Sequence, residues 1–336
     1  AYYSYNTAVG GLALNANLTG SSNTAVGYES LYSNTTGYKN TAIGMSALQS
    51  NSSGFGNVAM GSEALQTNST GINNTAIGSQ AMQYSTISNL TAVGGGALRN
   101  NSTGSGNTGI GLTAGYFNQT GEYNTSLGYQ ALRGVTGNSN SYNTGIGAKS
   151  LFGLTTGASN TAVGYESLLS NTTGYENVAI GIKSLNSLSA GYWNTAVGSH
   201  ALENYNDNGS VAIGAYALGT ITGGQNTAVG FSALYNTSGS NDDNTALGYF
   251  AGYSNSTGND NTYIGHQAGY AGTMGGDTAV GSGAAQGGSV GSRTAVGHNA
   301  LNTGGSGGAV AIGASAGYAL LSTGLQFVAV GESAGR

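Results

Sequence analysis

Asn23-Thr24-Ala25-Val26-Gly27 returns seventeen residues later as Asn40-Thr41-Ala42-Ile43-Gly44, then as Asn57-Val58-Ala59-Met60-Gly61 and Asn74-Thr75-Ala76-Ile77-Gly78. The last four residues of this block recur 20 times, from Thr7-Ala8-Val9-Gly10 to Val328-Ala329-Val330-Gly331, at steps of 16 to 19 residues and most often 17. Three residues beyond each Gly stands Ala or Ser, usually followed by Leu, as in Ser30-Leu31, Ala47-Leu48 and Ala64-Leu65. A polar, Gly-containing stretch such as Asn34-Thr35-Thr36-Gly37-Tyr38-Lys39 closes the cycle. Thr, Val and Ile favour strands, whereas Gly, Asn and Ser favour turns. The repeat therefore predicts two short strands per coil, joined by two turns. Seventeen residues cannot bury a face alone, so each coil must stack on the next. The expected fold is an all-β parallel β-solenoid of 20 coils. It forms one uninterrupted array over residues 1–336 and, at ~4.8 Å per coil, a rod of about 95 Å.

Composition agrees and removes several other classes. Gly supplies 62 of 336 residues, while Pro and Cys are absent, so neither a collagen helix nor a disulfide or cysteine-zinc scaffold is open to the chain. Charged residues make up only 6%, with a net charge of −5, which gives no electrostatic footprint for nucleic acid. No apolar run approaches the ~18 residues of a membrane span. Ala1-Tyr2-Tyr3-Ser4 does not read as a signal peptide.

Alternation along a strand puts its first and third residues on one face and the second on the other. The bulkier aliphatic column is the natural candidate for the interior: Val9, Val26, Ile43, Ile77, Val163 and Val197, joined by Leu31 and Leu48 from the second strand. The middle residues then face outward as a narrow apolar stripe: Ala8, Ala25, Ala42, Ala59, Ala76, Ala162, Ala196 and Ala228. Such a stripe suits contact with copies of the chain, most economically around a threefold axis, with dimers and sheet-like lateral assembly as the alternatives. Where Leu gives way to Gly, Tyr usually follows (Gly115-Tyr116, Gly252-Tyr253, Gly269-Tyr270, Gly317-Tyr318; Gly335-Arg336 is the exception), which reads as volume restored beside the loss. The Asn before the strand, at 23, 40, 57 and 74 and in most later repeats, is placed to form an amide ladder.

Asn-Thr-Ala-Val-Gly with a following Ala-Leu or Ser-Leu resembles the head repeats of trimeric autotransporter adhesins of the YadA type. It equally resembles related repeats of phage tail-fibre proteins. The resemblance covers essentially the whole chain. It implies a left-handed parallel β-roll, a homotrimer, and attachment to surfaces outside a cell or on a virion. The head repeat of that family is shorter, so the additional residues here extend a turn.

No catalytic constellation stands out, and His200, His266 and His298 all follow a strand-ending Gly as turn residues. Asp243, Asp260 and Asp277 occupy nearly equivalent turns in three consecutive coils and form a candidate Ca²⁺ site, set against a solvated acidic turn. Asn-x-Ser/Thr triplets at Asn34, Asn51 and Asn171 are formal glycosylation acceptors that an Asn/Ser/Thr-rich repeat also generates by chance. Among 22 Tyr and one Trp, Tyr38, Tyr175, Tyr192 and Trp193 are candidates for contacting glycans or proteins, the competing role being packing over the turn.

These readings converge on a non-enzymatic extracellular structural or adhesive fibre, homo-oligomeric and multivalent. A second reading is a filament growing head to tail, the step across a junction from Gly331 to Gly10 being one residue short of the internal range. A third, ice binding, requires the Thr column to face outward.

Overall fold

In a computed structural model, residues 4–220, 223–236, 242–272, 274–287, 291–303, 307–318 and 326–335 are described. Ala1 and Arg336, on which the head-to-tail reading leans, lie outside that set. The chain forms two compact units, Ala1–Gly174 and Tyr175–Arg336. Each is a parallel β-solenoid, and no helix occurs among the described residues. The first unit contains β1 (Thr7–Val9) through β10 (Thr161–Val163), the second β11 (Val178–Ile180) through β20 (Val328–Val330). Within each unit every strand pairs in parallel with its successor, with equivalent residues opposite one another: Thr24 lies against Thr41, Ala25 against Ala42, Val26 against Ile43.

A coil has one strand, not two. After Thr24-Ala25-Val26 the chain turns at Gly27 (φ 134°) and runs through Tyr28–Ser33 as turns, with Glu29 (φ 55°) and Leu31 (φ 49°) left-handed. Non-Gly residues avoid this region because Cβ crowds the backbone, at a cost of roughly 1–2 kcal/mol each. Hydrogen bonds between coils hold it in place. The Gly27 and Glu29 N–H groups donate to Val9 and Gly11 oxygens in the coil before, and those of Leu31 and Ser33 donate to Ala47 and Gln49 oxygens in the coil after. The second run thus satisfies its backbone as a strand would, without a strand's conformation.

The strand faces are the reverse of the sequence expectation. Ala25, Ala42, Ala59, Ala76, Ala162, Ala196 and Ala228 are completely buried, while Ala8 in the first coil is exposed. Val9, Ile43 and Ile77 are exposed, and Val26, Val163 and Val197 half-buried. The alanines therefore form the core instead of an outward contact stripe, and the aliphatic column points away from it. Leu31 and Leu48 are buried, as are Ser30 and Ala47 beside them. Interior volume explains the reversal: each coil is thin, and a buried Leu leaves room opposite it only for a methyl group. At Gly109 even an added Cβ would stand 2.8 Å from Leu98 Cγ.

Tyr263 is the exception that measures the space. It replaces Ala in β16 (Thr262–Ile264) yet is completely buried. Room comes from Gly252 and Gly269, which stand where other coils carry Leu. An added Cβ would lie 2.6 Å and 2.2 Å from the Tyr263 ring, respectively. Hence Gly252 and Gly269 are not compensated by their neighbours Tyr253 and Tyr270. Those rings are half-exposed and stack on each other outside the coil, centroids 5.2 Å apart.

Candidate functional site

Two ladders of buried amides line the turn side of the coil. In the first, the Asn40 N–H donates to Asn23 Oδ1 (3.0 Å), the Asn57 N–H to Asn40 Oδ1 (3.0 Å) and the Asn74 N–H to Asn57 Oδ1 (3.0 Å). Each side-chain amide donates in turn to a Gly carbonyl: Asn23 to Gly37, Asn40 to Gly54, Asn57 to Gly71, all at 2.8 Å. In the second unit, two substitutions that keep an acceptor keep the rung. The Asn226 N–H donates to Ser210 Oγ (3.1 Å) and the Arg293 N–H to Asp277 Oδ1 (2.9 Å). The second ladder was not read from the sequence. Asn34 Nδ2 donates to Asn17 Oδ1 and Asn51 Nδ2 to Asn34 Oδ1, both at 2.8 Å, and each also closes its own turn onto the Gly three residues ahead. The formal glycosylation triplets belong to this turn. Asn34, Asn51 and Asn171 are fully buried, and Thr35 Oγ1 and Ser52 Oγ donate to carbonyls of the following coil.

The acidic turn does not form the expected site. Asp243 and Asp260 stand one position before the ladder and are exposed, whereas Asp277 occupies the ladder position itself and is buried. Its carboxylate is held by Arg293, with Nη2 at 2.6 Å from Oδ2 and Nε at 3.2–3.3 Å from both oxygens. The guanidinium is also buried and donates to Gly287 O (3.0 Å). One acid has been drawn inside and neutralised, so the three carboxylates do not converge. Among the described residues no three His, Asp or Glu come together as metal ligands.

The aromatic candidates separate into two places. In the first unit Tyr38 stacks on Phe55, centroids 4.6 Å apart and planes 7° from parallel. In the second, Tyr175 stacks on Tyr192 (4.9 Å, 6°), and Trp193 meets the Tyr192 ring edge-on at 5.0 Å. Trp193 is 60% exposed, and its indole N–H donates to Glu176 Oε2 at 2.6 Å. An open cleft of about 300 Å³ adjoins this pair, lined also by Asp207, Asn208, Gly209, Gly224, Gln225 and Asp242. The cleft follows from register. In successive coils the position two before the ladder reads Tyr175, Tyr192, Asn208, Gly224 and Asp242, so the column of rings stops and a notch opens. Steps of 16 to 18 residues conceal that alignment in the linear sequence. His200 pairs with Glu203 (2.8 Å) and stacks on Tyr216.

Neither a protein-family model nor a curated protein matches the chain. Among the described residues no helix is long and apolar enough to cross a membrane.

Proposed function

We propose that this chain is a non-enzymatic structural or adhesive fibre, working outside a cell or on a virion surface, in which copies associate side by side, most economically in threes. The observation that supports this reading is the outward aliphatic column. Ile43, Met60, Ile77, Ile110 and Leu127 in the first unit, and Ile180, Ile213, Leu247, Ile264 and Ile312 in the second, are each between 37% and 48% exposed. Within each unit, stacked coil upon coil, they make an apolar stripe of a kind that isolated soluble proteins rarely leave in water. Sister chains would cover it, so the expected contact residues are these aliphatics in place of the alanines. Stacked surface rings repeated along the coils would then contact glycans or proteins weakly and many times over, with avidity supplying the strength.

Sedimentation equilibrium tests the association: a mass near three times 33.1 kDa is expected, and a monomer at micromolar concentration would remove the reading. Electron microscopy separates particles of fixed length from the indefinite fibres of a head-to-tail filament. Ice binding stands as the second reading, because the Thr column shares the outward face with the aliphatics. An absence of thermal hysteresis would dispose of it.

A further inference from the structure

The geometry points to the notch between Tyr192 and Asp242 as a binding site for an organic cation, an ammonium or guanidinium group carried on a body no larger than one ring. This inference goes beyond the fibre reading and stands whether or not the chains associate. Its first support is shape. Tyr192 is covered on one face by Tyr175, and the following coils offer Asn208 and Gly224 in place of further rings. Tyr192 and Asp242 are three coils apart, about 14 Å at ~4.8 Å per coil. The notch floor is fixed from within by Tyr205. That residue is fully buried in the position of the second ladder, and its hydroxyl donates to Asn208 O (3.0 Å) and contacts Ser210 Oγ (2.9 Å).

The second support is charge. Asp207 and Asp242 both line the notch, half-buried. One oxygen of each is held by the turns: Asp207 Oδ1 accepts from the Asn208 N–H (2.9 Å) and Asn208 Nδ2 (3.3 Å), and Asp242 Oδ1 accepts from the Gly224 N–H (2.8 Å). Among the described residues neither carboxylate belongs to an ion pair. Acids and bases are also unevenly distributed. Residues 1–174 carry four acidic and four basic side chains, whereas residues 175–336 carry eight and three, so the whole net charge of −5 resides in the second unit. Of its described bases, Arg293 is committed to Asp277, and Lys183 does not line the notch.

The third support is the exposed indole. Trp gives the strongest cation–π attraction of the aromatic residues, and Glu176, bonded to the indole N–H, adds negative charge beside it. A neutral sugar would use the rings but leave two carboxylates without a counter-charge.

Trp193 is the sole tryptophan, so intrinsic fluorescence reports the notch directly. The probes are arginine amide and glucosamine, which carry the same type of charge on different bodies, with N-acetylglucosamine as the neutral control. Saturable changes are expected with one or both cationic probes and none with the control. Asp207→Asn and Asp242→Asn retain the Oδ1 acceptors, and each should weaken binding severalfold, up to about fivefold. Raising NaCl toward about 0.5 M should weaken binding to the unaltered protein as well, which keeps the test decisive if a variant misfolds. Equal response to the neutral control, wild-type affinity in both folded Asn variants, insensitivity to salt, or no saturable change with either cation would overturn the assignment.

Discussion

Replacing Asn57 by Leu tests whether the first amide ladder holds adjacent coils together. The side chain accepts from the Asn74 N–H and donates to Gly71 O and Asn40 Oδ1. Two of these partners survive the change: Gly71 O still accepts from Asn68 Nδ2, and Asn40 Oδ1 still accepts from the Asn57 N–H. Only the Asn74 N–H is orphaned, and Asn74 is fully buried. An unsatisfied buried donor costs about 1–3 kcal/mol, so a loss near 2 kcal/mol is expected. That corresponds to roughly a thirtyfold fall in hydrogen-exchange protection at Asn74. Exchange is preferable to a melting midpoint because repeat arrays open locally. Asn57→Ser, which keeps an acceptor as Ser210 does, should cost less. Asn57→Asp should cost most, because it buries a carboxylate without the guanidinium that Arg293 gives Asp277. Unchanged protection at Asn74 in the folded Leu variant would refute the account of the ladder.

Other consequences follow at separate positions. Arg293→Asn alone should destabilise by about 3–5 kcal/mol by stranding the buried Asp277 carboxylate; combining it with Asp277→Asn should restore the loss, as read by urea denaturation. Burial pushes the Tyr263 hydroxyl well above the usual tyrosine range, and it has no hydrogen-bond partner among the described residues. Because the folded state holds this group neutral while the unfolded chain ionises near its ordinary value, its contribution is intact below about pH 10 and is lost as pH rises beyond it. Tyr263→Phe should therefore be at least as stable at pH 7 and lose less stability in alkaline titrations, both measured by circular dichroism. Gly44→Ala would place Cβ 2.5 Å from Gly61 O at φ 133°, and soluble, folded protein is not expected from it. Ile43→Lys with Ile77→Lys should leave the circular dichroism spectrum intact but reduce the sedimentation mass; an unchanged assembly would move the contact surface elsewhere.

The repeat made the solenoid, its parallel register and the Asn column legible, because all three depend on period alone. The faces were not, since hydrophobicity ranks Val above Ala whereas the coil's thin cross-section ranks by size. The second run escaped for a different reason. The exchange of Leu for Gly at 115, 252, 269 and 317 resembles a change of volume, but all of these positions are left-handed, with φ near 60°. Leu31 and Leu48 share that conformation, so Gly there relieves strain as well as making room. At the second ladder, a formal acceptor triplet concealed an internal turn. At the acidic cluster, one residue of register separates a buried Asp from two exposed ones. The notch beside Trp193 depended on aligning coils of unequal length, which no local motif signals.

Within each unit, near-identical coils make sliding by one step almost neutral for the strand, the glycine turn and the ladders. In the second unit, irregular pairings distinguish one level from another, among them Tyr263 with Gly252 and Gly269, and Asp277 with Arg293. A coil docked one level away from its place would lose these pairings, so they would serve as address marks during folding. A stretch without such marks should gain or lose whole coils over evolutionary time with little penalty, so that length drifts while the displayed chemistry persists.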